Sequence, residues 1–402
     1  MNNIAEIPYG AYWSTPFCKW QGSFAHLHSI QFAAHVAQLE LERRDISPTV
    51  FDFGVLGITI PQHKAFWGLP WLMSLIGADA VGGPTISQAC ATGVRSVLTA
   101  AQEITASMAT TALVVGTDRL SNGPQLYYPD PNGMGGTGTT ENWTMDNFFE
   151  GDPLTKQDMV VTAENVATKW KISSEAQHDV VLQRYEQYQA ALADDSAFHK
   201  RFMTLPFSVP SRNFRHVDGE LTSDEGIYRT TAEKLATLKP TKPNGTVTLG
   251  GQTHPADGNA GLIVARSNEA RELSRDPTIK IELVGFGLAR VEPAMMPYAP
   301  VPASQRAVSN ANIDFKQITA VKSHNPFAVN DIVFAQETGF PLEKMNNYGC
   351  SLVWGHPHAA TTIRQIIELI EELASTGGGY GLFQGCASGD TAMAVVVRLS
   401  DR

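Results

Sequence analysis

Residues 84–120 read PTISQACATGVRSVLTAAQEITASMATTALVVGTDRL, and this stretch decides the fold class. A strand-like run arrives at Cys90. Directly after it, Val94, Val97, Leu98, Ala101 and Ile104 fall on one helical face. Residues 109–120 then form an apolar run of the parallel-sheet type, centred on Val114 and Val115. Strand, helix, strand is the grammar of an α/β fold. Upstream, Ile30, Ala33, Ala34, Ala37 and Leu41 predict another helix, and residues 50–60, VFDFGVLGITI, another strand.

The last third repeats the first. Residues 279–289 read as a strand, and 318–339 as a strand and helix with a glycine stop at Gly339. Ile363, Ile366, Ile367, Ile370 and Leu373 stripe a further helix, and two strands joined by a turn close the chain. The stretches 88–104 and 354–373 share a plan: a reactive residue at a tight turn, then an apolar-striped helix. Two similar halves are expected, with a long insertion after the first. Residues 121–154, rich in Gly, Asn, Thr and Pro, read as an irregular functional loop. Residues 158–192 read as two amphipathic helices, the second capped by Ser173 or Ser174, and 206–250 as loops and short strands.

Composition narrows the function. The chain has 402 residues, 43% of them hydrophobic, and a net charge of -10. Apolar material is ample for a core. The acidic balance argues against nucleic-acid binding and against an anionic membrane surface. No run of about 18 apolar residues marks a membrane span. The opening MNNIAEIPYG lacks a secretory pattern, and the ending LSDR is neither a peroxisomal tripeptide nor a prenylation box. Four cysteines in so long a chain make no disulfide framework. A cytoplasmic protein is expected.

Four residues stand out for chemistry. Cys90 lies where a strand hands over to a helix, so the helix dipole is expected to push its thiol toward thiolate. His356, in GHPHA, has the residue type of a base for that thiol. His358 is its near competitor. Cys386, in QGCASGD, offers a second thiol for acid and base work, and His324, in SHNPF, a hydrogen bond to a thioester oxygen. Each falls at a turn beside a strand, where α/β sites are built. Taken alone, each also has a plain structural reading as a buried thiol or a satisfied polar group. His26 and His28 do not make a metal site, and GMGGTG has no nucleotide-binding pattern. The aromatic stretch FWGLPWL, 66–72, reads as core or subunit contact before pocket wall. Lys169, Lys171, Arg184, Arg212, Arg215 and Arg229 are candidates to meet a phosphorylated cofactor, most of them sooner a solvated face.

Several motifs together resemble the thiolase family over almost the whole chain. They are STPFCKWQGS (14–23), SQACATGVRS (87–96), MVVTAENVATKWKISSEAQ (159–177), DEGIYRTTAEKLATLKP (224–240), GHPHAA (355–360) and GCASGD (385–390). The resemblance implies an α/β thiolase fold: two pseudo-symmetric βαβαβαββ halves, each with a five-stranded sheet, in α-β-α-β-α layers. The first half would span 1–120, completed by about 246–270; a loop domain for coenzyme A, 121–245; the second half, 271–402. It implies a nucleophile at Cys90, catalytic roles for His356, Cys386 and His324, and an oxyanion hole from the amides of Cys90 and Ser388 with His324. Met159, Thr253 and Arg229 would meet coenzyme A, a co-substrate, with no permanently bound cofactor and no metal.

Departures from the family pattern are HNPF at 324–327, Ser388 and Ala359 in place of glycines, and Thr253 in a rewritten GGQTHPADGNAG segment. They bear on substrate range more than on reaction type. Thiolases recast in this way often work beside a small zinc-ribbon OB-fold subunit, and dimers or tetramers are expected. The benzoylsuccinyl-CoA thiolases are similar, aromatic stretch included, which implies cleavage of (S)-2-benzoylsuccinyl-CoA. Two other readings stay open. A decarboxylating ketosynthase-like enzyme usually lacks the second cysteine, so Cys386 speaks against it. A non-catalytic acyl-CoA or lipid-binding relative would not need Cys90, His356 and Cys386 together.

Overall fold

The computed structural model describes residues 4–402; the first three positions of the opening stretch lie outside the described residues. The first sheet runs, from one edge, Tyr12–Ser14, Ala256–Ala265, Thr111–Arg119, Phe53–Gly57 and Thr85–Ile86, with Cys18–Lys19 also paired to Ala256–Ala265. Its last three strands are parallel, and Ala256–Ala265 is antiparallel to its neighbours. The second sheet runs Ile279–Arg290, Thr391–Asp401, Gly379–Ala387 and Ile318–His324, with only the last pair parallel.

The second sheet has four strands where five are expected. A single bridge between Val321 and Met345 stands at the fifth place. The chain cannot stay extended beyond it, because Asn346, Tyr348 and Gly349 all have positive φ.

The helix His358–Ser375 explains the layering. Every residue from His358 to Leu373 is buried. A helix buried on all sides must lie between layers. It packs against both sheets and against the helix Thr92–Thr105. Helices Ser29–Arg43 and Gly68–Leu75 cover the outer face of the first sheet, and Pro300–Asn310 and Ala328–Thr338 that of the second. Charges on the central helix are paired, as burial requires. Arg364 bonds Asp224 and Glu368 at 2.9 Å, and Glu371 accepts from Tyr12 at 2.6 Å.

The segment 121–154 is more ordered than its composition suggests. Gln125–Pro129 pairs antiparallel with Gly138–Asn142, and a helix follows over Trp143–Phe149. Both strands are largely exposed, so no apolar alternation marks them. The strand Ala256–Ala265 and the helix Pro300–Asn310 are likewise additions to the sequence reading. Among the described residues no helix is long and apolar enough to cross a membrane.

Candidate active site

Two turns deliver the reactive groups. In the first, Ala89 sits at φ +44° just before Cys90, and the helix starts at Thr92. The Thr92 hydroxyl accepts from the Gln88 amide and donates to the Ala89 carbonyl, each at 2.7 Å, which locks the turn. In the second, Gly355 at φ +91° turns the chain out of Ser351–Trp354, and the His356 amide donates to the His254 carbonyl at 3.0 Å. The turns approach closely because two positions lack a side chain. A Cβ on Gly93 or Gly116 would lie 2.3 or 2.6 Å from the Ala359 carbonyl oxygen.

Three of the four sequence candidates converge. Cys90 Sγ and one ring nitrogen each from His324 and His356 lie within 4.8 Å of one another. The two imidazoles stack at 3.9 Å between centroids, and the His358 ring stands 4.7 Å from that of His356. Their Nδ1 atoms are held by hydroxyls: His324 by Ser351 at 2.9 Å, His356 by Thr361 at 2.7 Å, His358 by Thr59 at 2.7 Å. All three Nε2 atoms are buried without a partner among the described residues. Cys386 is buried at the end of the strand Gly379–Ala387 rather than in the turn after it, and accepts from Asn330 Nδ2 at 3.3 Å.

Burial dominates the electrostatics. It pushes His324 down to about 3 and His358 to about 4, and drives His356 well below its ordinary value, helped by its two neighbouring imidazoles. The expected shift of Cys90 toward thiolate is overturned. Burial pushes its thiol up to about 12, although the amides of Ser388 and of Cys90 itself pull it back. Burial also raises Cys386; the nearby Cys90 raises it further, and Asn330 opposes both. The free site therefore holds neutral thiols beside neutral imidazoles. Charge must be created there, not stored.

The Cys90–His324–His356 trio is the one Cys/His/acidic group near metal-site dimensions among the described residues. A tetrahedral zinc would draw its ligand atoms to roughly 3.5 Å of one another. Stacked rings, 27° from parallel, set their nitrogens side by side instead of aiming them at one centre. The trio suits proton transfer better than a metal.

The other candidates scatter. Thr253 is half-buried beside the site: its hydroxyl donates at 2.5 Å to the carbonyl of Ser351, whose own hydroxyl holds His324. Met159 opens the helix Met159–Trp170 and packs on the apolar cluster that contains Cys386 and Phe327. Arg229 and Ser388 are exposed. Arg184 is no solvated face; it is buried and bonded to Asp331 at 2.9 Å. In the aromatic stretch, Leu69 and Leu72 are core, while Phe66 is 92% and Trp67 63% exposed. That favours a contact surface over a pocket wall.

Sequence reasoning missed the supports, Thr59, Asp118, Asn330, Ser351 and Thr361. Asp118 lies inside a buried strand, and its carboxylate accepts the Ala359 amide at 2.9 Å, at the start of the central helix. An acid within an apolar strand run was the available signal.

Comparison with known proteins agrees with this geometry. Residues 11–268 match the family model described as "Thiolase, N-terminal domain", and 277–399 that described as "Thiolase, C-terminal domain". The acetyl-CoA acetyltransferase IA of Candida tropicalis is 28% identical over 404 residues, 96% of each chain. The crystal structure of human mitochondrial 3-ketoacyl-CoA thiolase superposes with a TM-score of 0.89 at 25% identity, over 99% of each chain. The same human enzyme in complex with CoA superposes with a TM-score of 0.87 at 25% identity, over 99% of this chain and 98% of that one.

Proposed function

The chain belongs to the thiolase family and is an acyltransferase, and from that premise we propose that it cleaves or forms the C2–C3 bond of a 3-oxoacyl-CoA through an acyl-Cys90 intermediate. The observation that carries this reading is the convergence of Cys90 Sγ with ring nitrogens of His324 and His356 within 4.8 Å.

The steps follow from the resting charges. As Cys90 sulfur adds to the C3 carbonyl, His356 takes its proton, so thiolate and oxyanion form together. The amides of Cys90 and Ser388 receive the oxyanion. Both favour negative charge on the sulfur, and a backbone N–H serves whether the residue is Gly or Ser. The C2–C3 bond breaks, the acyl group stays on sulfur, and the electron pair passes to the CoA-thioester enolate. Cys386 gives its proton to C2. Free coenzyme A then loses its thiol proton to Cys386 and displaces the acyl group, and His356 returns the proton to Cys90.

His324 works through a water. The Ser351 hydroxyl lies 2.9 Å from His324 Nδ1 and 3.1 Å from Asn325 Oδ1; with its proton given to Oδ1, His324 Nδ1 carries the ring proton and Nε2 is an acceptor. That Nε2 receives one hydrogen of a water whose other hydrogen faces the enolate oxygen.

For the finer reading we take (S)-2-benzoylsuccinyl-CoA as substrate, yielding benzoyl-CoA and succinyl-CoA; the resemblance, aromatic stretch included, supports it. Met159, Thr253 and Arg229 would line the approach of coenzyme A, which comes and goes as a co-substrate. The exposed Phe66 and Trp67, near the short edge strand Thr85–Ile86, support a dimer or tetramer. We place the enzyme in the cytoplasm on its cysteine usage, and give it a small zinc-ribbon partner subunit on the same resemblance.

Intact-protein mass spectrometry after incubation with a panel of acyl-CoAs tests the reaction. One acyl mass should remain on the native protein and none on Cys90→Ala, with turnover down by about 10⁴-fold or more. Cys386→Ala should still acylate but lose carbon–carbon chemistry. Ordinary turnover in Cys90→Ala would end the proposal.

A further inference from the structure

A third histidine lies behind the site, fixed by a chain of hydrogen bonds the reaction above does not use. The Asp118 carboxylate accepts the amides of Thr59 at 2.8 Å, Ile60 at 2.9 Å and Ala359 at 2.9 Å, and the Thr59 hydroxyl at 3.0 Å. All four partners are donors. A threonine hydroxyl has one proton, and here it goes to Asp118. Yet Thr59 Oγ1 is also 2.7 Å from His358 Nδ1. The histidine must therefore donate, so Nδ1 carries the proton. A neutral imidazole has only one, which leaves Nε2 as a bare lone pair.

That Nε2 is buried, with no partner among the described residues, on a side chain in a residue only 8% exposed. The ring stands 4.7 Å from that of His356, one of the two histidines beside Cys90, and 5.5 Å from that of Phe148, at 75° to it. The Trp143 indole N–H donates to the Thr59 carbonyl at 3.1 Å, so the helix Trp143–Phe149 is tied to the same corner. An unmet buried acceptor has given up its hydrogen bond to water. A ligand that supplies the donor recovers it.

We propose that His358 is a specificity-determining residue of the acyl pocket, with Asp118 and Thr59 as its positioning residues, and that its Nε2 accepts a hydrogen bond from an O–H on the acyl group. The O–H is a hydroxyl, or a carboxyl that shares one proton with the ring. This rests on the thiolase reading and adds to it the substrate class: acyl-CoAs with a polar, O–H-bearing acyl group.

The experiment has two independent arms. In ¹⁵N-histidine NMR, His358, assigned by its loss in His358→Gln, should show a protonated Nδ1 and a bare Nε2. Thr59→Val should redistribute that proton, and Thr59→Ser, which keeps the hydroxyl, should restore it. A protonated Nε2 in the native protein overturns the proposal whatever the activity. In the kinetic arm, kcat/KM for thiolysis is compared among three 3-oxoacyl-CoAs of matched size, one apolar, one hydroxyl-bearing and one carboxyl-bearing. The native enzyme should favour one O–H-bearing substrate over the apolar one by tenfold or more, and which one distinguishes the two sources. His358→Leu should collapse that ratio at least tenfold, and Thr59→Val should lower it less. A ratio unmoved by both variants overturns the proposal. Should no 3-oxoacyl-CoA be cleaved, the acyl-transfer reading fails, and the tautomer arm still decides the state of His358.

Discussion

The two turns that feed the central helices share a plan and differ in their surroundings. Cys90 is half-buried, and its helix keeps a partly exposed face around Arg95 and Thr99. His356 and His358 are buried, and the helix after them is buried for four turns. The thiol thus sits on the approachable side of the crevice and the imidazoles on its dry side. One supersecondary device serves two ends: it presents a group to a reagent in the first half, and it strips water from a group in the second. Position at a helix start does not set reactivity alone. At Cys90, burial outweighs the favourable helix terminus and the two amides.

The largest expected effect lies where the turns touch. Gly93→Ala would place a Cβ 2.3 Å from the Ala359 carbonyl oxygen and 2.4 Å from Thr362 Oγ1. A backbone atom between two packed layers cannot give way cheaply. Overpacking of this kind costs about 1–3 kcal/mol. The turns would part by a fraction of an ångström, and a 1 Å misplacement costs about 100-fold in rate. Denaturant unfolding and kcat should both fall, whereas Gly135→Ala, which meets nothing within 4 Å, should change neither. Equal behaviour of the two variants would break the claim that this contact aligns the halves.

Much of this was legible because it is local. Cys90 and His356 stand at strand-to-helix turns that periodicity reveals, and Ser173 caps its helix by accepting from the Ala176 amide. Gly339 ends its helix in the left-handed conformation, as expected. What stayed hidden is non-local. Asp118 reads as part of a strand, and only the fold brings it to the start of a helix 241 positions later. The strand Ala256–Ala265 is rich in small residues and completes a sheet begun at Tyr12. The short fifth strand of the second sheet fails on backbone conformation at Asn346 and Tyr348, which hydrophobic pattern does not report. Thiol ionisation was misjudged for the same reason: the helix terminus is visible in sequence, and the desolvation is not.

That misjudgement gives the second test. With its thiol raised to about 12, free Cys90 is a thiolate only in a small fraction that grows about tenfold per pH unit on the alkaline side. Iodoacetamide labelling of Cys90, read by peptide mass, should climb without a plateau from pH 7 to 10. Thiolate favoured by the helix terminus would instead level off near neutrality. A plateau below pH 9 would show that the first turn is activated at rest, and the contrast drawn between the halves would weaken.

The smallest effect concerns backbone conformation. Both turns need a left-handed residue just before the reactive one: Gly355 at φ +91° precedes His356, and Ala89 at φ +44° precedes Cys90. For alanine that conformation costs roughly 1–2 kcal/mol, and for glycine little. Glycine loses more chain entropy on folding, which returns part of the difference. Ala89→Gly should therefore raise stability by about 0.5 kcal/mol while lowering kcat a few-fold, because the looser turn no longer holds sulfur against the imidazoles. Gly355→Ala should do the opposite to stability, since its Cβ would also meet Ala256 Cβ and His254 Nε2 at 2.8 Å. Strain is tolerated in the first turn because Thr92 bonds both of its ends, and a loss of stability in Ala89→Gly would mean that those two hydrogen bonds, rather than the alanine, set its conformation.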